Sequence, residues 1–212
     1  MMPEVRPVGD RGVLLVFGST VDAGLFDRIL ALDAALNADP LPGMVETVPA
    51  YVTLLIEYDP LVTDFAAVAA GACARLEGVS AAAVEGRTHV IPMVFEGAPD
   101  LDEVAARTGM SAEAVIAAHL AAEYRVYMYG FAPGYAYMDG VPKALQLARK
   151  PVPVRSRPVG TVMIAGGQCL ITTLPMPTGW WVIGQTDVQV LRIDDPAPFL
   201  FRPGDRVRFV SA

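Results

Sequence analysis

Glycine and proline punctuate this 212-residue chain more densely after residue 130 than before it, and that spacing limits what its second half can become. The breaks at Gly166-Gly167, Pro175-Met-Pro-Thr-Gly179, Asp194-Asp-Pro196 and Pro203-Gly-Asp205 leave intervals suited to short strands. These intervals read as strands over 152–156, 161–165, 169–173, 180–184, 188–193 and 205–210, which predicts an antiparallel barrel or sandwich. The way into this region is Tyr127 to Gly140, an aromatic strand running into a loop. Tyr127, Tyr129, Phe131, Tyr135 and Tyr137 set five of the chain's fifteen Tyr and Phe residues around one bend. Pro133 lacks an N–H and Gly134 tolerates φ > 0, so Pro-Gly specifies a tight turn there. Two readings stay open at this point: an aromatic mini-core, or an aromatic-walled pocket floored by backbone.

The first half alternates strands with helices. Residues 12–17 form an apolar run short enough for a buried strand. An amphipathic helix over 22–37 follows, with Asp22 as N-cap and Leu25, Ile29, Leu32 and Leu36 along one face. Strands are expected at 44–48 and 51–58. Asp59-Pro60 then opens a second helix reaching Glu77, with Phe65, Val68, Ala72 and Leu76 on its buried face. A further strand runs from Arg87 to Phe95. The order β-α-β-β-α-β predicts an α+β chain that begins with a ferredoxin-like sheet covered by two helices. Two domains are expected, 1–88 and 89–212. Asp100 to Glu103 has capping-box spacing and starts a third helix, and Ser111 caps a fourth that carries Val115, Ile116 and His119.

Composition excludes several classes. A net charge of −7 argues against a nucleic-acid binder, because phosphate backbones require a basic face. No apolar run approaches the ~20 residues of a membrane span, and residues 1–6 lack the apolar core of a signal peptide, so a cytoplasmic protein is expected. Cys73 and Cys169 read as buried thiols. No His or Cys pair has metal-ligand spacing, and no metal site is expected.

The chemistry-bearing candidates are few. His119 lies toward the apolar side of its helix, so a hydrogen-bonded core histidine and a general base are both open. Arg149, Lys150, Arg155 and Arg157 form a basic cluster in an otherwise acidic chain. Arginine suits bidentate carboxylate or phosphate recognition, while a charged edge strand is the alternative. In Gly179-Trp180-Trp181-Val-Ile-Gly-Gln185-Thr186, alternation turns one tryptophan to the core and its neighbour to the opposite face, where an exposed ring beside Gln185 and Thr186 would suit a contact. Gln168 offers an amide beside the Gly166-Gly167 hairpin.

These motifs together resemble the family of the first subunit of allophanate hydrolase, which includes the B component of the prokaryotic 5-oxoprolinase and the Kip inhibitor of a histidine kinase. The resemblance rests on Tyr124-Arg-Val126, Gly130-Phe-Ala-Pro-Gly-Tyr-Ala-Tyr137, Pro158-Val-Gly-Thr-Val-Met-Ile-Ala-Gly-Gly-Gln168, Gly179-Trp-Trp-Val-Ile-Gly-Gln-Thr186 and Gly204-Asp-Arg-Val-Arg-Phe209. It covers nearly the whole chain in consistent order. Three positions depart from the family pattern: Val154 follows Pro153 where arginine is usual, Thr172-Thr173 replaces Tyr-Pro, and Thr178 replaces a glycine.

The resemblance implies a cyclophilin-like β-barrel for the second domain and membership of an ATP-dependent amidohydrolase complex of the 5-oxoprolinase type, inactive alone. It implies ATP with Mg as cofactor, no biotin on this chain, and a small amide substrate. The implied partners are a second cyclophilin-like subunit, related to carboxyltransferase regions, and a separate hydrolase subunit. On this reading Arg155, Gln168 and His119 are the expected catalytic residues, and Arg157, Tyr135, Tyr137, Trp180, Gln185 and Thr186 contact substrate or nucleotide. Phe131 is the expected core anchor of the turn. A kinase inhibitor and a subunit handling allophanate or carboxylated urea are the alternative functions.

Overall fold

A computed structural model describes residues 2–79 and 86–212. The chain forms two compact units, Met1–Glu85 and Gly86–Ala212. Both are mixed α and β, so the expected α+β class holds.

The first unit contains β1 (Glu4–Val8), β2 (Gly12–Val16), α1 (Ala23–Ala38), β3 (Met44–Ala50), β4 (Thr53–Tyr58) and α2 (Phe65–Glu77). Its antiparallel sheet has the order β1-β2-β4-β3. Strands β2, β3 and β4 hold the places of the first three ferredoxin-like strands. The place expected for a closing strand after α2 is taken instead by β1, which hairpins onto β2 from the N-terminal side. Exposure explains why β1 escaped the sequence pattern: four of its five residues face solvent. Asp22 caps α1 by accepting the Leu25 N–H at 2.8 Å, as expected. The second helix starts later than Asp59-Pro60, because Asp59 accepts the Leu61 N–H in a local turn and Asp64 is the true cap, accepting from Ala67.

The second unit contains β5 (Thr88–Met93), α3 (Leu101–Thr108), α4 (Ala112–Ala121), β6 (Tyr124–Tyr129), β7 (Ala136–Asp139), β8 (Val154–Arg157), β9 (Thr161–Ala165), β10 (Gln168–Ile171), β11 (Met176–Thr178), β12 (Trp181–Gln185) and β13 (Arg206–Ser211). Seven strands form one sheet in the order β12-β9-β10-β7-β6-β13-β5. Its two ends meet where Val94 and Gln185 exchange backbone hydrogen bonds of 2.7 and 2.9 Å, which closes the sheet into a barrel. Strands β8 and β11 make a separate two-stranded ribbon.

The barrel departs from the expected pattern in three places. Residues 136–139, read as loop, are a strand that pairs with β6. Residues 188–193 form no strand; Leu191 makes a lone bridge with Phe199. The pairing of β5 with β13 is parallel rather than antiparallel. Asp205 clamps that pair: its carboxylate accepts the Arg87 and Arg202 N–H groups at 2.8 and 2.9 Å and meets His89 Nε2 at 2.8 Å.

Strand β9 is buried along its whole length. Val162 and Ile164 face the barrel interior, while Met163 and Ala165 face a second apolar cluster on the outer side. Burial on both faces explains why β9, β10 and β12 are nearly continuous apolar runs.

Candidate functional site

The site is built on the outer cluster by the bend between β6 and β7. The Tyr135 N–H donates to the Ala132 carbonyl at 3.1 Å, with Pro133 and Gly134 at the two central positions and φ of 66° at Gly134. That is the turn Pro-Gly specifies. A Cβ at Gly134 would lie 3.1 Å from Phe199, so the turn sits close against that ring. One residue earlier the Ala132 N–H donates to the Gly130 carbonyl at 2.9 Å, and Phe131 between them has φ of 72°. This is a γ-turn of the strained hand, costing on the order of 1–3 kcal/mol for a residue with a side chain. Phe131 is 77% exposed. The expected core anchor is therefore the most exposed aromatic ring of the bend.

Behind Phe131 lies a cavity of about 320 Å³. Its walls are aromatic: Phe131 leads to Tyr135 (ring centroids 5.8 Å apart), Tyr135 to Tyr137 (6.0 Å), and Tyr137 to Trp180 (6.1 Å). Burial pushes the Tyr135 phenol well above its usual range, so this ring stays neutral. The remaining wall is a strap of the chain that includes Arg149, Lys150, Pro151 and Pro153. Backbone bonds hold the strap in place, since Lys150 N–H donates to the Gly179 carbonyl and Trp181 Nε1–H to the Ala148 carbonyl.

Two basic residues of the strap belong to the lining, and their charged groups are placed differently. The Arg149 guanidinium lies 5.3 Å above the Trp180 ring. Lys150 is largely buried; its ammonium meets Asp100 Oδ2 at 2.6 Å and lies 5.1 Å from the Trp181 ring. Asp100 was expected to begin a capping box. It makes no such bond to α3, because its Oδ2 accepts the Val182 N–H at 2.7 Å and holds Lys150. Arginine and lysine beside an aromatic wall are a fitting receptor for a small flat anion.

The structure brings together three of the residues nominated from sequence, Tyr135, Tyr137 and Trp180. Trp180 is buried rather than exposed, and its backbone N–H donates to Thr178 Oγ1 at 3.0 Å. Arg155 and Arg157 lie on β8 outside the lining, Arg155 exposed and Arg157 half-buried opposite Met176. Gln168 opens β10 opposite Ala165 and Asp139, also away from the cavity. Gln185 and Thr186 border a separate shallow depression at the barrel seam; Thr186 Oγ1 donates to the Pro92 carbonyl and Gln185 Nε2 to that of Val159.

His119 has no exposed surface. Its Nδ1 shares a hydrogen bond of 2.6 Å with the Tyr124 hydroxyl, and the ring packs on Phe209 with centroids 4.7 Å apart. Burial lowers its pKa from 6.5 to about 3, so it stays neutral, and it is not part of the lining of the aromatic cavity. It is a core histidine, which removes it from the candidate site. Cys169 is wholly buried with its thiol pushed up by burial.

Two of the family departures have structural work. Thr172 Oγ1 donates to the Pro158 carbonyl at 2.6 Å and accepts the Thr161 N–H at 2.8 Å. Thr178 holds the Trp180 backbone through the bond given above. Sequence reasoning passed over Asp100, Lys150, Arg149 and Phe131 as site residues. The basic cluster was the one signal that pointed toward two of them.

The barrel thus carries on its outer face a cavity walled by aromatic rings and by the strap that holds Arg149. The chain belongs to the family of the carboxyltransferase domain, subdomain C and D, whose model matches residues 3–201. A curated relative, the B component of 5-oxoprolinase from Bacillus subtilis (strain 168), is 33% identical over 220 residues, covering 98% of this chain and 92% of the relative. The crystal structure of TTHA0988 superposes with a TM-score of 0.85 at 42% identity, covering 95% of this chain and 40% of that one. This chain thus spans less than half of that larger molecule. Urea amidolyase of Kluyveromyces lactis, at 20% identity and a TM-score of 0.78 over 100% of this chain and 15% of its own, shares the fold.

Proposed function

We propose that this chain is one subunit of an ATP-dependent amidohydrolase that opens 5-oxoproline to glutamate, working with partner subunits in the cytoplasm. What carries the reading is the pairing of Arg149 with an aromatic wall, in a chain related along most of its length to the B component of 5-oxoprolinase. The substrate is a small ring bearing one carboxylate and one amide. Its carboxylate suits the Arg149 guanidinium, and its ring suits the aromatic wall beside it. Lys150 has its ammonium committed to Asp100 and holds the strap that walls the cavity, so its part is to position that wall. The reaction adds water across the ring C–N bond, and the nitrogen leaves as the amino group of glutamate.

A nucleoside triphosphate fits this cavity poorly. Phosphates call for a cradle of backbone N–H groups or several uncommitted cations, whereas here Lys150 is already paired. Among the described residues no three His, Cys, Asp or Glu side chains cluster as they would to hold a metal. In our reading ATP and its Mg therefore bind a partner: the hydrolase subunit or the second carboxyltransferase-like subunit. The test is release of glutamate from 5-oxoproline by the complete reconstituted complex, with and without ATP. Absence of turnover would sink the reading, and turnover of allophanate instead would redirect it.

A further inference from the structure

Phe131 carries two burdens that folding alone does not require. Its backbone is held in the left-handed region, where glycine sits more easily, and its ring is 77% exposed beside the cavity. The backbone around the ring is held on both sides. The Gly130–Ala132 and Ala132–Tyr135 backbone bonds fix both sides of the residue, and Gly134 sits against Phe199 and Leu191. The ring stands at the open end of the series Phe131, Tyr135, Tyr137, Trp180, tilted 57° to Tyr135 with centroids 5.8 Å apart. Arg149 lies at the other end of the same wall, over Trp180.

We infer that Phe131 is a specificity-determining residue whose ring covers the flat face of a small cyclic carboxylate anchored by Arg149. A cavity open on one side leaves half of a flat ligand in water, and a presented phenyl ring supplies the missing face. Strained backbone is retained where the residue it presents has work to do, and here that work is contact with a ligand. The inference rests on the 5-oxoprolinase reading for the identity of the substrate, but the residue's role depends only on the cavity.

Two variants test it in the reconstituted complex. Phe131→Gly relieves the left-handed strain, so Tm should hold or rise, while KM for 5-oxoproline should rise about tenfold with kcat within about twofold. Phe131→Tyr keeps the ring and should keep the KM. A second arm uses 8-anilinonaphthalene-1-sulfonate, a flat aromatic anion, on the full chain by itself. Its saturable fluorescence should be lost in both Phe131→Gly and Arg149→Gln.

If Phe131→Gly leaves KM and dye binding unchanged, the inference is overturned while the 5-oxoprolinase reading stands. If the wild-type complex fails to turn over but the dye response is lost in both variants, the reading falls and the role of Phe131 stands. Loss of partner assembly at unchanged KM would overturn the inference in favour of a subunit contact. A fall in Tm of more than about 4 °C would overturn it in favour of a packing role.

Discussion

Strands β9, β10 and β12 bury both of their faces, and the two faces are built on different terms. Inward, Val162, Ile164, Cys169, Ile171, Trp181 and Ile183 join a core closed on all sides. Outward, Met163, Ala165, Leu170, Val182 and Trp180 are covered by the aromatic bend, the β8–β11 ribbon, Leu174 and the strap. The same period-two alternation feeds both. Cover makes the difference: a closed face holds the barrel together, and a partly covered face leaves room for a ligand.

The adjacent tryptophans give the largest contrast. Trp181→Ala should cost about 3–5 kcal/mol in urea unfolding, because it opens a void in the closed core. Trp180→Ala should cost much less, since part of that ring borders an existing cavity, and should show itself mainly as raised KM. Equal destabilisation by the two would erase the distinction between the faces.

Next comes the ion pair beneath the strap. Asp100→Ala leaves the Lys150 ammonium buried without its partner, and about 3 kcal/mol should be lost. Adding Lys150→Met should recover most of that stability and none of the activity. A double variant as unstable as the single would show that the Val182 N–H contact, rather than the charge, was the larger part.

The inner face has its own signature in pH. His119 is held neutral with its pKa lowered from 6.5 to about 3, so the unfolded chain binds the extra proton first. Its contribution is therefore constant above pH 6.5 and lost as pH falls from there toward 3, by about 1.4 kcal/mol per unit. The wild-type minus His119→Gln difference in stability should show that slope, and a flat difference would mean the histidine is solvated.

The smallest effect separates the two arginines. Arg149→Ala should raise KM for 5-oxoproline by about tenfold, while Arg155→Ala, on an exposed strand position, should change KM and Tm little. A stronger effect at Arg155 would move the site to the β8–β11 ribbon.

Strong local signals carried the fold. The Asp22 cap, the Pro133-Gly134 turn and the alternating apolar strands all state their conformation within a few residues. Strand β1 could not be read this way, because an exposed edge strand buries too little to leave a pattern. Site residues were legible where aromatic rings cluster in sequence, as at Tyr135 and Tyr137. Asp100 was illegible because its partners, Lys150 and Val182, lie 50 and 82 residues away. Its local spacing also imitates a capping box. Arg149 and Arg155 share one cluster, and only the tertiary path of the strap reveals which of them faces the cavity. Phe131 misled for a plainer reason: an aromatic ring normally goes inward, and a positive φ is invisible in a residue's name.

The clamp at Asp205 sets a timetable for the barrel. Strand β5 is the first barrel strand to be synthesised and pairs with β13, and the Asp205 contacts beside that pairing span 116 and 118 residues. Its other contact with the sheet, the Val94 bridge, waits for Gln185. At ribosomal speed β5 spends on the order of ten seconds without a neighbour before either arrives. Closure so distant in sequence belongs to the slow end of folding, so barrel formation is governed by the last strand made rather than by the helices that precede it.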